Sequence, residues 1–590
     1  MRTTRKVSRS RNVKALGVVA SAALVLAACG GGGGSADEGD STPTAKAPAA
    51  ITITHTSEQE IDAFNGNTSE NNATKNNLVL QRVLTGFWFF GADGSVTPNP
   101  DFGSYKKTSE DPLTIEYSIN DKAVWSDGSP IDCDDILLFW AANSGKIGDG
   151  LFSASGTTGV ELVEVPDCAA GDKDFTFKYT EPFADWEGQG APGAADLLPA
   201  QVVEQQGGLS EQEFIDAVKK GDAKALAKAA KFYNSGWVME PGSLPDASLI
   251  PSSGPYRLSK WDAGQSITLT ANEKYWGDPP AAKNVVIRFI VQDEQVQALQ
   301  NGEVNIIEPQ ANPDLLNQLE SAQGVTVETG DQYLYDHLDF NFNPSNPFSD
   351  KKLREAFAKC VPRKLIVDNL IKPQKPDAKP MDVRNVAPFD PAYPAVVEAT
   401  GAAEYAEVDI PGAKALLAET GKTGMQVKLG YPTPNPRRTQ VVELIADSCG
   451  KAGFKVVDAG GDDFFEASGD LANNRFDVAL YGWAGSSLVS GWASTFTTAP
   501  SCTPSGKGNN NGCYSNKEVD RLIKELNATI DPDAKTKLIG EVEALLWEDL
   551  ATIPLYSQPS LSAWTSTLKH IEPNPSQASI TWNMDEWSAS

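Results

Sequence analysis

Alternation of apolar and polar residues predicts a series of short β-strands along the chain. The predicted strands are 51–54, 113–119, 175–179, 285–290, 325–328, 427–430 and 477–481. Between them lie longer stretches whose apolar residues recur at helical spacing. The predicted helices are one that begins after Asp132, and 211–232, 350–370, 412–419, 440–452, 516–526 and 533–549. This mixed order of strands and helices predicts an α/β fold rather than a β-sandwich or a helical bundle.

The first fifty residues differ in pattern from the rest. Six basic residues and no acidic residue occur before position 15, and an apolar run follows from Ala15 to Ala28. This run is shorter than the roughly 20 residues that a transmembrane helix needs, so 1–28 is predicted to be a signal peptide that is removed. Residues 29–50 contain five consecutive glycines and a Ser/Thr/Pro/Ala-rich stretch, which predicts a flexible tether.

The end of the apolar run resembles the lipobox of bacterial lipoproteins. Leu26, Ala27 and Ala28 precede Cys29, and in lipoproteins the cysteine of this motif receives the lipid. The resemblance implies that the mature chain begins at Cys29 and is anchored to the extracytoplasmic face of the cell membrane. About 540 residues follow the tether. A single hydrophobic core does not support a domain of that size, so two or more lobes are expected.

Charge excludes one class of partner. Removal of 1–28 leaves 44 basic and 78 acidic residues, a formal charge of −34. Phosphate backbones require a basic surface, so nucleic acid is excluded as a partner. An acidic field is compatible with a cationic ligand, but the interpretation that we favour is a solvated acidic surface that keeps the protein in solution.

The cysteines predict disulfides. Once Cys29 carries lipid, an even number remains in an exported chain. These six are Cys133, Cys168, Cys360, Cys449, Cys502 and Cys513. Six cysteines allow 15 pairings, among which the sequence does not choose. Nearest-neighbour pairing, 133–168, 360–449 and 502–513, is the arrangement that we expect.

Catalytic and metal motifs are missing from the sequence. His55, His337 and His570 are widely separated, and no HExxH or Cys-x-x-Cys spacing occurs. No Gly-x-Ser-x-Gly elbow or phosphate-binding glycine loop is present. Adjacent acids such as Asp134–Asp135 and Asp462–Asp463 are predicted to be surface or helix-cap residues. The expected protein is therefore not an enzyme and has no cofactor and no metal.

Six segments, in order, resemble the extracytoplasmic oligopeptide-, dipeptide- and nickel-binding proteins of ABC importers. They are WSDGSPIDCDDI (125–136), SGPY with NEKYW (253–256 and 272–276), DFN with PFSD and LREA (339–341, 347–350 and 353–356), AKALLAETG (413–421), NKEVD (516–520) and IPLY (553–556). Most of these residues are expected to be scaffold. The segments therefore indicate a fold and leave the ligand open.

The resemblance implies a two-lobed periplasmic-binding-protein clamp of the large oligopeptide-binding type, with an extra small domain. Lobe one is then 51–97 with 245–335 and 557–590, the extra domain is 98–244, and lobe two is 336–556. The lobes of such proteins close over ligand through a hinge, so each lobe supplies half of the site.

The same resemblance implies site residues. Peptide-binding members carry a Gly-Trp segment followed by an Asp that pairs with the ligand's amine, and here Gly482 and Trp483 are followed by Ser486 at that position. A hydroxyl cannot replace the charge of a carboxylate, so either another acid serves, such as Asp477 or Glu70, or the ligand is not an ordinary free-amine peptide. Trp483 can equally be a core residue. Further candidates are Asn65, Asn67 and Thr68 in lobe one, and Tyr333, Tyr335, Asn341 and Tyr514.

These observations predict a solute-binding lipoprotein, expected to be a monomer, that captures a peptide or other small solute and delivers it to an ABC permease. An alternative is an envelope regulator or scaffold that kept the binding-protein fold, which Ser486 keeps open. A secreted hydrolase has no catalytic constellation to support it.

Overall fold

The computed structural model describes residues 49–466, 468–503 and 508–590. The predicted signal peptide, Cys29 and most of the tether lie outside the described residues. Within them, no helix combines the length and the apolar character that a membrane crossing requires.

The described residues form nineteen strands in six sheets. The strands are β1 (Ala49–Ser57), β2 (Trp88–Phe90), β3 (Val96–Pro98), β4 (Gly103–Glu110), β5 (Leu113–Ile119), β6 (Asp174–Lys178), β7 (Tyr256–Asp262), β8 (Ser266–Ala271), β9 (Ala282–Phe289), β10 (Ile306–Ile307), β11 (Val325–Gly330), β12 (Leu334–Phe340), β13 (Gln426–Pro432), β14 (Lys455–Gly461), β15 (Val478–Ala484), β16 (Thr552–Ser557), β17 (Ser560–Thr565), β18 (Leu568–Lys569) and β19 (Ser588–Ala589).

Fifteen α-helices accompany these strands in the described ranges. They are α1 (Thr74–Leu80), α2 (Cys133–Asn143), α3 (Ala200–Gly207), α4 (Glu211–Lys220), α5 (Ala223–Ser235), α6 (Gln292–Gln300), α7 (Pro313–Glu320), α8 (Lys351–Ala358), α9 (Arg363–Ile366), α10 (Tyr393–Ala399), α11 (Ile410–Glu419), α12 (Pro436–Ala452), α13 (Gly491–Phe496), α14 (Lys517–Ala528) and α15 (Pro532–Glu548). A π-helical turn, Val367–Ile371, continues α9.

Three sheets organise the molecule around the site. A four-stranded sheet has the order β1-β9-β8-β7, and a three-stranded sheet the order β10-β17-β11. A mixed five-stranded sheet has the order β14-β13-β15-β12-β16, with β12 antiparallel to both of its neighbours. Helices α8, α11 and α12 pack on the five-stranded sheet and share one apolar core with it.

A smaller antiparallel sheet, β4-β5-β6, and helices α2 to α5 share one apolar core with the four-stranded sheet. Strand β5 buries every second residue, as its alternation predicts, and its bounds agree with the predicted 113–119. Asp132 precedes α2 as predicted. Asp134 and Asp135 are buried in the first turn of α2 rather than at the surface, because α3 and α4 contact this helix. Asp135 is nevertheless a helix-cap residue, as predicted, since its side chain accepts the N–H of Asp132 at 3.1 Å.

Two long helices predicted from periodicity are each broken. The stretch 211–232 divides into α4 and α5 at Gly221, which has a φ of 65°. Glycine adopts this left-handed conformation at no steric cost and ends the helix, and Asp222 then caps α5. The stretch 350–370 divides after α8, where Pro362 precedes α9 and has no N–H to continue the helix.

All six cysteines of the described chain are paired nearest neighbour to nearest neighbour, as expected. Cys133–Cys168 joins the start of α2 to the segment before β6, and Cys360–Cys449 joins the end of α8 to α12. Cys502–Cys513 closes a loop whose residues 504–507 are not described. The first two disulfides therefore each connect elements that pack within one core.

His55 lies fully buried on β1, with its ring edge-on to that of Trp587. Burial lowers the pKa of His55 to about 4, because the charged imidazolium loses its hydration, although a backbone hydrogen bond at Ile306 opposes the shift. The unfolded chain therefore binds a proton near pH 6.5 that the folded chain does not bind until about pH 4.

We predict that His55 lowers stability as pH falls from about 6.5 to about 4, with a slope near 1.4 kcal/mol per pH unit. His55→Gln should flatten this part of the pH dependence in urea unfolding at pH 7.0, 5.5 and 4.5. His570→Gln, at an exposed histidine, is the control and should keep the wild-type slope. An unchanged slope in His55→Gln would contradict the prediction.

Candidate functional site

The chain passes between the three-stranded and the five-stranded sheet twice. Residues 331–333 link β11 to β12, and residues 558–559 link β16 to β17. The two crossings lie side by side, because the N–H of Gln558 donates to the carbonyl of Leu334 at 2.7 Å, and the Ser557 hydroxyl donates to the carbonyl of Gln332 at 2.9 Å. Two adjacent short crossings form the covalent geometry of a hinge.

A fully buried carboxylate, Asp336, binds the crossings to α12. It accepts hydrogen bonds from Arg438 Nη2 at 2.8 Å, from the Tyr556 hydroxyl at 2.7 Å and from Gln558 Nε2 at 3.0 Å. The guanidinium of Arg437 lies 4.0 Å away, over the ring of Tyr556. Burial on its own raises the pKa of Asp336, but Arg438 and Arg437 outweigh it and hold the pKa at about 2. Asp336 is therefore ionised at neutral pH.

A cavity of about 600 Å³ opens beside the crossings, and we call it the central cavity. Its wall contains residues that precede α7, both crossings, the end of β15 and the segment after β18. It is formed by Thr74, Glu308, Pro309, Gln310, Ala311, Gln332, Tyr333, Leu334, Ala484, Gly485, Gln558, Pro559, Ser560, Leu561, Asn574, Pro575, Ser576, Gln577 and Ser579. The wall thus draws on both sides of the hinge, as a ligand site in a clamp must.

A smaller pocket of about 150 Å³ continues from the central cavity, with which it shares Ala484, Gly485 and Gln577. We call it the side pocket. Its lining includes Asn385, Trp483, Ser486, Leu488, Gly491, Trp492, Ser494, Thr495 and Asn509. The two spaces meet where β15 ends.

The sequence of the chain matches a known family model over residues 97–501, which describes bacterial extracellular solute-binding proteins, family 5. The chain belongs to this family. Its fold is the two-lobed clamp with an extra small domain that family 5 structures share. As a family 5 protein it is an extracytoplasmic solute-binding protein.

Three relatives illustrate the breadth of the family. An uncharacterized lipoprotein of Mycobacterium tuberculosis is 28% identical over 592 residues, with 98% of each chain covered. The oligopeptide-binding protein OppA of Mycobacterium bovis is 26% identical over 504 residues, covering 83% of this chain and 77% of its own. The solved structure of the periplasmic EDTA-binding protein EppA has a TM-score of 0.79 at 22% identity, and covers 93% of this chain and 98% of its own.

Among the residues proposed for the site of this family 5 protein, Tyr333 and Trp483 line the two spaces. Tyr333 forms part of the central cavity and packs edge-on against Phe389. Tyr335 is buried next to it, opposite Trp483 across the paired strands β12 and β15. Burial raises the pKa of Tyr335 well above its ordinary value, so its hydroxyl stays protonated.

Trp483 is half-buried and combines two environments. One side lines the side pocket, while its ring stacks on His337 with a centroid distance of 5.9 Å and packs edge-on against Tyr481. Its indole Nε1 has no hydrogen-bond partner among the described residues. Ser486 lines the same pocket, and its hydroxyl oxygen accepts the N–H of Leu488 at 3.2 Å.

Gly482 lies opposite Asp336 in the paired strands β15 and β12. A Cβ atom at this position would lie 3.0 Å from Asp336 Oδ1 and 3.1 Å from atoms of Arg438 and Gln558. Such contacts are tighter than ordinary van der Waals separations. Gly482 thus leaves room for the buried charge network, and its predicted ligand contact stays a prediction.

Asn65, Asn67 and Thr68 lie outside the walls of both spaces. Asn65 is buried and donates to the carbonyl of Tyr233 at 2.9 Å, and Asn67 donates to the carbonyl of Asp196 at 3.0 Å. The backbone of Thr68 bridges to Ala154. Their side chains and backbone hold the segment before α1 against the small-domain residues.

Asn341 and Tyr514 also lie away from the central cavity. Asn341 donates to the carbonyls of Asn474 and Phe476, and the Tyr514 hydroxyl donates to Asp549 at 2.7 Å. These bonds are typical of buried polar groups that support a fold. For these two residues, as for the three of the preceding segment, ligand contact stays a prediction.

Neither alternative acid named from the sequence reaches the two spaces. Asp477 accepts the side chain of Asn346 and the N–H of Lys428 at the far end of β15, and Glu70 is exposed. The carboxylate in the wall of the central cavity belongs instead to Glu308, which sequence reasoning missed. Its signal was modest: an acid directly after the short apolar strand β10, before Pro309.

Glu308 is anchored through one oxygen. Its Oε2 accepts the hydroxyl of Ser579 and, at 3.3 Å, the N–H of Ile580. Burial raises the pKa of Glu308 above its ordinary value, and the two hydrogen bonds oppose that shift without cancelling it. A cationic partner would favour its ionised form.

A second contact between elements borders the side pocket. The N–H of Ala184 donates to the carbonyl of Asn527, and the N–H of Ser490 donates to Asp185 Oδ2, each at 2.7 Å. Ala184 packs in the apolar cluster that contains Val489 and Trp492. The segment 183–188 thus contacts and fixes the residues around Ser490, which border the side pocket.

We predict that Trp483→Ala weakens ligand binding by about tenfold or more, because aromatic residues in pockets carry a large share of binding energy. Isothermal titration calorimetry measures the change, with the solute that copurifies with the natively produced wild-type protein as the ligand. The melting temperature of the unliganded variant should fall only modestly, since Trp483 is half-buried. Intact binding combined with a large fall in melting temperature would instead identify Trp483 as a core residue.

Proposed function

We propose that this chain is the ligand-capturing lipoprotein of an ABC importer, which closes on a peptide or peptide-like solute and delivers it to a membrane permease. The observation that carries the proposal is the central cavity, whose wall combines Glu308 and Asn574 from one side of the hinge with Ala484 and Gly485 from the other. Ligand contacts on both sides offset the cost of closing the clamp. In this proposal the sides correspond to the lobes 51–97 with 245–335 and 557–590, and 336–556.

The size and chemistry of the cavity support a small polar ligand. A volume of about 600 Å³ lies within the range of about 300–1,000 Å³ that is common for small-molecule sites. The wall contains several amides, which are Gln310, Gln332, Gln558, Asn574 and Gln577. Because an amide both donates and accepts, these side chains suit the peptide groups of a ligand.

Glu308 is the residue that we propose for a positively charged group of the ligand. It is the carboxylate of the described cavity wall, and the recorded hydrogen bonds to its side chain engage Oε2, so Oε1 is proposed to receive the ligand. Ser486 cannot supply that charge. Recognition of an amine would therefore come from the side of the hinge opposite to the one that the family resemblance implies.

Anchoring and delivery belong to the same proposal. A lipid on Cys29 would hold the clamp at the membrane surface on about 20 residues of tether. The relatives support this placement by their names, since one is a lipoprotein and another an oligopeptide-binding protein. A monomer suffices, because the described cavity is formed within one chain.

We predict that the natively produced protein retains its solute, and that native mass spectrometry of the purified protein identifies a polar compound with a cationic group. Glu308→Gln should then lower the affinity for that compound by about tenfold or more, because the charge-assisted hydrogen bond is lost. The control is Glu303→Gln, which removes an exposed charge outside the cavity. Equal affinity of Glu308→Gln and wild type would disprove the role of Glu308 and leave solute binding itself intact.

Ser486 favours one competing role, an envelope regulator that kept the clamp fold, because the expected carboxylate is missing. Cellular uptake of the identified solute separates the two roles. Deletion of the gene should abolish uptake if the protein serves an importer, and a Glu308→Gln copy should restore it poorly. Uptake that persists at the wild-type rate would favour the regulator.

A further inference from the structure

Four carboxylates from three helices converge at one end of the small-domain helices. Asp132 precedes α2, Asp134 is its second residue, Glu204 belongs to α3, and Glu211 is the first residue of α4. One oxygen from each of Asp132, Asp134 and Glu211 lies within 4.8 Å of the others. None of the four residues lines the central cavity or the side pocket.

These carboxylates are buried without sufficient hydrogen-bond donors. Asp132, Asp134 and Glu204 are exposed by 3%, 7% and 5%, and Glu211 is partly exposed. Asp132 Oδ1 and Glu204 Oε1 are both buried and have no hydrogen-bond partner among the described residues. An unpaired buried carboxylate oxygen is costly, so two of them at one place require a further partner.

Glu204 reaches the cluster from outside the trio. Its carboxyl group lies at hydrogen-bonding distance from that of Asp134, a contact that a shared proton or a cation stabilises, and the charges of Glu211 and Asp132 also act on it. Each neighbour that acts on the carboxylate of Asp134 is also acidic, namely Asp135, Glu204 and Asp132. The unpartnered oxygen of Glu204 therefore belongs to the same cluster of carboxyl groups, although Glu204 comes from a different helix.

The nearby basic group does not neutralise the cluster through hydrogen bonds. Lys173 lies within electrostatic reach of Asp132 and Asp135, but its Nζ donates to the carbonyls of Ala123 and Ile131. Asp135 is separately satisfied by the N–H groups of Ala200 and Asp132 and by the indole of Trp125. The other four carboxyl groups have no basic side chain among their recorded hydrogen-bond partners in the described residues.

We propose that Asp132, Asp134 and Glu211, with Glu204 behind them, form a binding site for Ca²⁺. Carboxylate oxygens are the ligands that this cation prefers, at about 2.3–2.6 Å, so two oxygens on opposite sides of it lie about 5 Å apart. One oxygen from each residue of the trio lies within 4.8 Å of the other two, so all three can reach one such cation. Mg²⁺ demands a near-ideal octahedral arrangement and keeps several of its waters, so a group of largely buried carboxylates favours Ca²⁺.

The bound Ca²⁺ would join three helices of the small domain at one point. Helices α2, α3 and α4 contact one another there, and the Cys133–Cys168 disulfide begins at the neighbouring residue. The site has a structural role in this proposal and is independent of the ligand cleft. An extracytoplasmic protein meets Ca²⁺ at concentrations that weak sites of about 10⁻⁴–10⁻³ M can use.

Terbium luminescence tests the site directly. The full mature chain is stripped of metal on a chelating resin and titrated with Tb³⁺ under tryptophan excitation, because Trp125 donates to Asp135 at 3.2 Å and is close enough to sensitise the ion. We expect a saturable signal that Ca²⁺ displaces at least tenfold more effectively than Mg²⁺. Ca²⁺ should also raise the melting temperature.

The variants are Glu211→Gln and the double variant Asp134→Asn/Glu211→Gln, with Asp216→Asn as the control. Asp216 is exposed on the same helix and lies outside the trio. Both test variants should lose at least tenfold in Tb³⁺ affinity and lose the Ca²⁺-dependent rise in melting temperature, while the control keeps both within twofold. If the double variant does not fold, Glu211→Gln alone decides, because its side chain is partly exposed. An unsaturable signal, equal displacement by Mg²⁺, or unchanged affinity in the test variants would overturn the proposal.

Discussion

The buried charge of Asp336 is the constraint on which the hinge side of the cleft depends. Desolvating a carboxylate costs several kcal/mol, and that cost is offset only when charged and hydrogen-bonding partners surround it. Here Arg438, Tyr556 and Gln558 supply the bonds, and Arg437 adds a second positive charge. Because the partners come from α12, from β16 and from the second crossing, the interaction fixes the crossings relative to the five-stranded sheet.

The same interaction constrains residues around the central cavity. Gly482 faces Asp336 across the sheet, and a side chain there would collide with the charge network. The next residue, Trp483, points to the other face of the strand, where it stacks on His337 and lines the side pocket. Gln558 belongs both to the network and to the wall of the central cavity. Electrostatics inside the sheet and the shape of the cavity are therefore coupled through one side chain.

Much of the fold could be predicted from the sequence, because alternation and capping are local. Strand β5 and the start of α2 agree with the predictions, whereas the breaks at Gly221 and Pro362 were hidden within otherwise helical periodicity. Less of the candidate site could be predicted from the sequence. Tyr333 and Trp483, which are candidates from the sequence, line the two spaces, whereas the positions of Glu308 and Asp336 depend on contacts between residues more than 200 positions apart. Asn341 is also a site candidate from the sequence, but its side chain makes hydrogen bonds to the backbone. A polar residue that supports the backbone cannot be distinguished in sequence from one that binds ligand.

The segment 183–188, which belongs to the expected small domain, contacts residues that border the side pocket. Asp185 is buried where it accepts the N–H of Ser490, and burial raises its pKa although this bond opposes the shift. A buried carboxylate held by backbone donors is stable only while those donors stay in place, so opening the cleft would have to hydrate Asp185 and expose Ala184. Hydration of the carboxylate is favourable and exposure of the apolar contact is not, so the two effects partly cancel. A clamp balanced in this way needs only modest ligand contacts to favour closure, and the five amides and one carboxylate in the cavity wall can supply such contacts.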